Sequence, residues 1–250
     1  IWETGTWHLQ ENINIPATIK ETAEDGSIPH KIQYLDLRLG HTCNLKCIMC
    51  SPHDSSLWVP EHKKVFPIFQ SPLIKKQLSW NSEHFNNYWH ENPEFWKEIF
   101  DQIPNIRQIY FAGGEPLLIK EHKKLLEEII RQGYADKISL RYNTNGLLIN
   151  EEIINIWEKY KTVKVGISID GLGDRLHYIR FPTDFETVEK NLWRLENTSD
   201  KIQINLAIAV QILNIKHIPD FIKWKIKSGF KKVNLERNSA GQLSGGGICN

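Results

Sequence analysis

The chain has 250 residues, of which 40% are hydrophobic and 24% charged, and a formal net charge of +1. This suits one globular domain, or one with appendages, and offers neither the basic excess of a nucleic-acid binder nor an acidic tail. No apolar run approaches the roughly 20 residues that span a bilayer, and the opening IWETGTWHLQ lacks the charged-then-apolar layout of a secretion signal. The single methionine is Met49, so the chain carries no initiator and is expected to be a fragment, a processed form or the ordered part of a longer protein.

In chain order, residues 1–31 show no clear periodicity and form an N-terminal segment outside the core. Residues 32–39 alternate like a strand, and residues 51–93 follow as a long insertion carrying Trp58, Trp80 and Trp89 without a strong helical pattern. Connections of that length are usually lids or partly disordered. Strand-like stretches recur at 106–112, 137–143, 162–169, 201–210 and 232–236. Between them, Leu118, Leu125, Leu126, Ile129 and Ile130 make a helical stripe that stops at Gly133. Thr183 with Glu186 predicts a capping box for a helix continued by Phe185, Val188, Leu192 and Leu195. A further helix at 219–228 ends at Gly229, and the glycine-rich residues 237–250 read as a flexible tail. Alternating strands and helices imply parallel strands joined by right-handed crossovers, and six such units are visible.

The strand faces specify the architecture further. Val163, Val165, Ile167 and Ile169 share one face, opposite Lys164, Gly166, Ser168 and Asp170. Leu35, Leu37 and Leu39 oppose Asp36 and Arg38, and Ile138, Leu140 and Tyr142 oppose Ser139, Arg141 and Asn143. Ile202, Ile204, Leu206 and Ile208 stand against Gln203, Asn205, Ala207 and Ala209. Strands of an open doubly wound sheet would be apolar on both faces, and a closed eight-stranded barrel would fill its interior with Val, Ile and Leu. One apolar and one polar face predicts an α/β fold with a wide, partial (β/α)6 TIM-like barrel around a polar ligand. The plainer alternative is internal ion pairing among Asp36, Arg38, Arg141 and Glu236.

Three of the four cysteines, Cys43, Cys47 and Cys50, lie within eight residues directly after the first strand; the fourth is Cys249. Clustered thiols without an export signal point to a metal centre in a reducing, cytoplasmic compartment rather than to disulfides. Loops after strand C-termini build the active face of a parallel barrel. Three thiolates leave one coordination position open, whereas structural zinc sites and electron-transfer clusters normally take four ligands. A closed Cys3His zinc site completed by His41 is the structural alternative. Cys249 alone builds no cluster and is expected to be idle in this chain.

The loop Cys43-Asn44-Leu45-Lys46-Cys47-Ile48-Met49-Cys50 resembles the CxxxCxxC loop of the radical S-adenosylmethionine (SAM) superfamily. Phe111-Ala112-Gly113-Gly114-Glu115-Pro116 is similar to the family's GGEP motif, Asn143-Thr144-Asn145-Gly146 to its TNG element, and Ser168-Ile169-Asp170-Gly171 to its ribose-contacting segment. Residues 174–195, with His177, Arg180 and Phe185, resemble peptide-modifying branches that carry a SPASM or twitch extension, whose truncated start the tail could be. The resemblance covers about residues 32–236, and each motif closes a strand.

It implies that Cys43, Cys47 and Cys50 hold three irons of a [4Fe–4S] cluster, with SAM chelating the fourth. Electron transfer from the cluster then splits SAM, and the 5′-deoxyadenosyl radical takes a hydrogen from the substrate. Gly113 and Gly114 would let backbone approach the methionine ammonium, with the Glu115 carboxylate beside it and Pro116 completing the turn. Ser168 and Asp170 would meet the ribose, Asn145 the ribose or the carboxylate, Met49 the adenine, and Arg180 the methionine carboxylate. Each has a bland counterpart: Gly113-Gly114 and Asn145-Gly146 as ordinary turns, Ser168 and Asp170 as caps, Arg180 in a surface ion pair. The expected partners are a peptide or protein substrate and a flavodoxin- or ferredoxin-type electron donor, with no nucleic acid and no membrane. The other readings are a small-molecule or nucleotide substrate, or a non-catalytic zinc- or cluster-binding module.

Overall fold

A computed structural model describes residues 15–68, 70–72 and 89–235. Trp80, Glu236, the tail at 237–250 and Cys249 lie outside the described residues.

Six parallel strands form one sheet in sequential spatial order: β1 (Tyr34–Arg38), β3 (Gln108–Ala112), β4 (Ser139–Thr144), β5 (Thr162–Ser168), β7 (Ile202–Ala207) and β8 (Val233–Leu235). Sequential order with helical crossovers is the strand arrangement of a partial (β/α)6 barrel. In register, Leu37 stands beside Phe111, Tyr142 beside Val165, and Ile167 beside Leu206. The apolar faces behave as their alternation predicts: Val163, Val165, Ile167 and Ile169 are fully buried, as are Ile202 and Ile204. The opposite faces stay polar and partly open, with Asp36, Arg38 and Asn143 exposed. Of the residues in the ion-pairing alternative, Glu236 lies outside the described residues. Asp36 and Arg38 approach at 3.4 Å, both solvent-exposed, and Arg141 stacks over the Tyr110 ring.

The helical layer follows the apolar stripes, with four differences from expectation. In the helix Lys120–Arg131, Leu125, Leu126 and Ile129 are fully buried. Leu118, however, belongs to the preceding 3-10 turn (Pro116–Leu118) and is exposed, because the Glu115 side chain caps that turn separately. The helix Phe185–Glu196 is capped by Asp184, whose carboxylate accepts from the N–H groups of Glu186 and Thr187; Thr183 is not the cap. Thr183 is buried, and both its N–H and its hydroxyl donate to the Arg180 carbonyl, so its side chain is already engaged. The insertion is more helical than its pattern suggests. It contains the helix Val59–Val65, and Pro93 is the first residue of the helix Pro93–Gln102, behind an Asn92 cap. Helices at Ile15–Glu21 and Glu151–Trp157 were also not expected, being only two turns long. Among the described residues no helix is long and apolar enough to cross a membrane.

Two short strands outside the main sheet matter most for the site. β2 (Lys46–Cys47) pairs antiparallel with β6 (Arg180–Phe181), setting Cys47 directly opposite Arg180. The Ile48 N–H to Ile179 carbonyl bond extends this ribbon.

Candidate active site

Two residues beyond the end of β1, Gly40 takes φ +75, and a Cβ there would meet the buried His90 ring at 2.9 Å. The far end of the insertion thus packs on the start of the cysteine loop. Beyond Gly40 the loop is fixed from inside and outside. Leu45 is buried as a plug, and its carbonyl accepts from the Ser55 hydroxyl. Ser56 N–H donates to the His41 carbonyl, and the Trp58 indole N–H to the Cys47 carbonyl at 2.9 Å. Cys47 is buried; Cys43 and Cys50 are half-buried.

The Gly113-Gly114 turn docks on this loop by backbone contact. Gly114 N–H donates to the Gly40 carbonyl and Glu115 N–H to the Thr42 carbonyl. A Cβ on Gly114 would sit 2.3 Å from the Thr42 oxygen, and one on Gly113 2.8 Å from the Gly40 oxygen. The bare Cα atoms are therefore required by the cysteine loop itself, a constraint separate from any approach to a ligand.

Cys43, Cys47, Cys50, Met49, Gly113, Gly114, Asn145, Ser168 and Arg180 line a single cavity of about 580 Å³, within the usual size of small-molecule sites. Its walls also include Arg38, Tyr110 and Asn143 from the polar strand faces, and His53, Asp54 and Trp89 from the insertion. The sequence pattern noted Trp89 but did not single out His53 and Asp54, because the insertion's own period gives no sign of which residues turn inward.

Glu115, Pro116 and Asp170 stand behind the wall rather than on it. Glu115 is 1% exposed and joins three elements: it accepts from Thr144 Oγ1 and Asn145 N–H, each at 2.8 Å, and from Leu117 N–H at 3.2 Å. Asn145 in turn donates to Asn44 Oδ1 at 2.7 Å, tying the β4 turn to the cysteine loop across 101 residues of sequence. Asp170 has both carboxylate oxygens occupied, by Arg180 Nε at 2.6 Å and Ala209 N–H at 2.7 Å.

The thiols are electrostatically distinct. Burial pushes Cys43 up to about 11. Cys47 is held below the ordinary thiol range, first by the Cys50 thiol donating to it and then by the Arg180 guanidinium, while the same contact pushes Cys50 up. Among the described residues no three His, Cys, Asp or Glu side chains are arranged to hold a single metal ion.

Burial pushes Glu115 up to about 7 from 4.5, against the three hydrogen bonds that oppose it. The folded state therefore holds this proton more tightly than the unfolded state, and stability falls as pH rises from about 4.5 to 7, by ~3 kcal/mol in all. A protonated carboxyl oxygen still accepts from Asn145 N–H, but an amide nitrogen cannot. Glu115→Gln in the apo-protein is thus expected to lose about 1–3 kcal/mol at pH 5 and to show a flatter pH profile. Urea unfolding at pH 5 and pH 8 measures this; parallel profiles for the two proteins would contradict it.

A parallel α/β half-barrel with a thiol-lined polar cavity at the carboxyl edge of its strands is the scaffold of a cofactor-dependent enzyme. Residues 37–224 match the family model described as Radical SAM superfamily, and the chain belongs to that superfamily, whose enzymes use a [4Fe–4S] cluster and SAM. Among curated proteins it is 27% identical over 199 residues to GTP 3′,8-cyclase of Clostridium botulinum, covering 77% of this chain and 52% of that one. The chain spans about half the length of this relative. Among solved structures, anSMEcpe with bound AdoMet aligns with a TM-score of 0.56 at 20% identity, over 84% of this chain and 54% of that one. Streptococcus suis SuiB bound to precursor peptide SuiA aligns at 0.50 and 16% identity, over 86% and 42% respectively. These two likenesses concern the fold.

Proposed function

We propose that this chain is the catalytic core of a radical SAM enzyme of the SPASM/twitch branch that modifies a peptide or protein. In this reading Cys43, Cys47 and Cys50 bind three irons of the cluster. The observation that carries it is the convergence of all three thiols with Gly113, Gly114, Asn145 and Ser168 on one cavity. The donor set fits the group: three thiols from one short loop with a polar wall beside them. When bound, the cluster and SAM supply reductive C–S cleavage and the 5′-deoxyadenosyl radical that removes a substrate hydrogen.

The chain's own residues position and exclude. Gly113 and Gly114 lay backbone along the cavity next to the thiols, suited to the methionine end of SAM. Ser168 and Asn145 offer hydrogen-bond partners for ribose, and Met49 an adaptable apolar contact for adenine. Arg180 keeps N–H groups beyond those used by Asp170 and Cys47, suited to a carboxylate. Glu115, Pro116 and Asp170 set the wall on which these groups stand. Trp89 and His53, from the two ends of the insertion, narrow the approach of water. The electron comes from a flavodoxin- or ferredoxin-type donor.

A nucleotide substrate is the second reading, favoured by the 27% identity to GTP 3′,8-cyclase. Support for the peptide reading comes from residues 174–195 and their likeness to the peptide-modifying branch. Anaerobic reconstitution with iron and sulfide, followed by SAM and dithionite, is expected to release 5′-deoxyadenosine. Stimulation of that release by GTP would replace the peptide reading with the nucleotide one; no release from a fully loaded cluster would remove both.

A further inference from the structure

We infer that Arg180 is a positioning residue that sets the redox poise of the cluster, through a hydrogen bond from its guanidinium to the sulfur of Cys47. The inference rests on the cluster assignment above and concerns a different property of the same site.

The ribbon of β2 and β6 separates two surfaces. Cys47 and Arg180 face the cavity, whereas Lys46, Ile48 and Phe181 line a shallow groove on the other side. Strand alternation and the direct Cys47–Arg180 pairing thus place a guanidinium beside a thiol 133 residues away in sequence, with Arg180 Nη1 at 3.8 Å from Cys47 Sγ. A different nitrogen of the same rigid plane, Nε, is bound by Asp170 at 2.6 Å, with side chains 13% and 0% exposed. Asp170 is itself immobilised by Ala209 N–H on one carboxylate oxygen and by Asn214 Nδ2 on its carbonyl at 3.1 Å. Asn214 is fully buried and also holds the Ala209 carbonyl. A line of fixed contacts therefore runs from the loop after β7, through Asn214 and Asp170, to the sulfur.

A buried ion pair by itself is weak evidence for stability, and this one has a second, directed contact to explain. Adding an electron to a thiolate-bound cluster increases negative charge on its sulfurs. N–H donors aimed at those sulfurs favour the reduced state and raise the potential. Asp170 fixes where the planar fork points, which an ammonium would not reproduce.

The test is a spectroscopically monitored redox titration of the anaerobically reconstituted full chain without SAM, at matched iron content. Arg180→Gln is expected to shift the midpoint to more negative potential, since the donor is lost and Asp170 remains. Arg180→Lys is expected to shift it the same way by less, because lysine keeps the positive charge but lacks the second nitrogen that the rigid fork holds at the sulfur. If only the lysine variant loads, its shift alone decides. An unmoved midpoint in the loaded variants, or failure of both to take up iron, makes the pair a scaffold element and overturns the role of Arg180. A wild-type chain that takes up no cluster instead overturns the assignment on which the inference rests.

Discussion

Cys47→Ala is expected to abolish both the brown colour of the reconstituted protein and the release of 5′-deoxyadenosine. Cys47 is the most buried of the three thiols, at 3% exposure, and is the one held by neighbours on both strands of the ribbon. Its loss leaves two thiols, so two irons of a cubane would lack protein ligands. No other cysteine among the described residues stands close enough to substitute. The fold should survive, because Leu45 still plugs the loop and the β2–β6 pairing uses backbone groups. Iron and sulfide analysis, the visible spectrum and chromatographic detection of 5′-deoxyadenosine check this. Full iron content with unchanged release would remove Cys47 from the cluster.

Gly114→Ala is expected to be the most damaging change of a residue that carries no reactive group. The added Cβ would fall 2.3 Å from the Thr42 carbonyl oxygen and 2.7 Å from the carbonyl carbons of His41 and Thr42. All three are backbone atoms, so no side-chain rotation relieves the overlap. Either the cysteine loop lifts away from the β3 turn, breaking the Glu115–Thr42 hydrogen bond, or the turn itself distorts. Overpacking of this severity costs ~3 kcal/mol or more, and the displaced loop should lose iron. Gly26→Ala is the control: its φ of +82 is unfavourable for alanine, but nothing lies within 4 Å of the added Cβ. That change should cost only about 1 kcal/mol and leave iron loading intact. Urea unfolding and iron content of both variants measure the difference; equal losses would mean that the glycine turn does not support the loop by contact.

The amino-acid order alone determined the six strand-like stretches, the division of four of them into an apolar and a polar face, and the three-thiol loop at the carboxyl edge of the first strand. These are local properties: a period of two, a period near 3.6, and cysteines close enough to share one loop. Helix ends were less legible. Both Thr183 and Asp184 can cap a helix, and only the turn that engages Thr183 with the Arg180 carbonyl leaves the task to Asp184.

Tertiary structure alone decided which polar residues face the cavity and which stand behind it. Glu115 and Asp170 lie in motifs that read as ligand contacts, yet each spends its carboxylate on backbone and side-chain donors from distant elements. The pairing of Cys47 with Arg180 and of Asn44 with Asn145 was equally invisible, since two-residue strands have no period and partners more than a hundred residues apart leave no spacing to read. Pattern reports which face of an element is buried; closure of the chain in space chooses the atom on the other side.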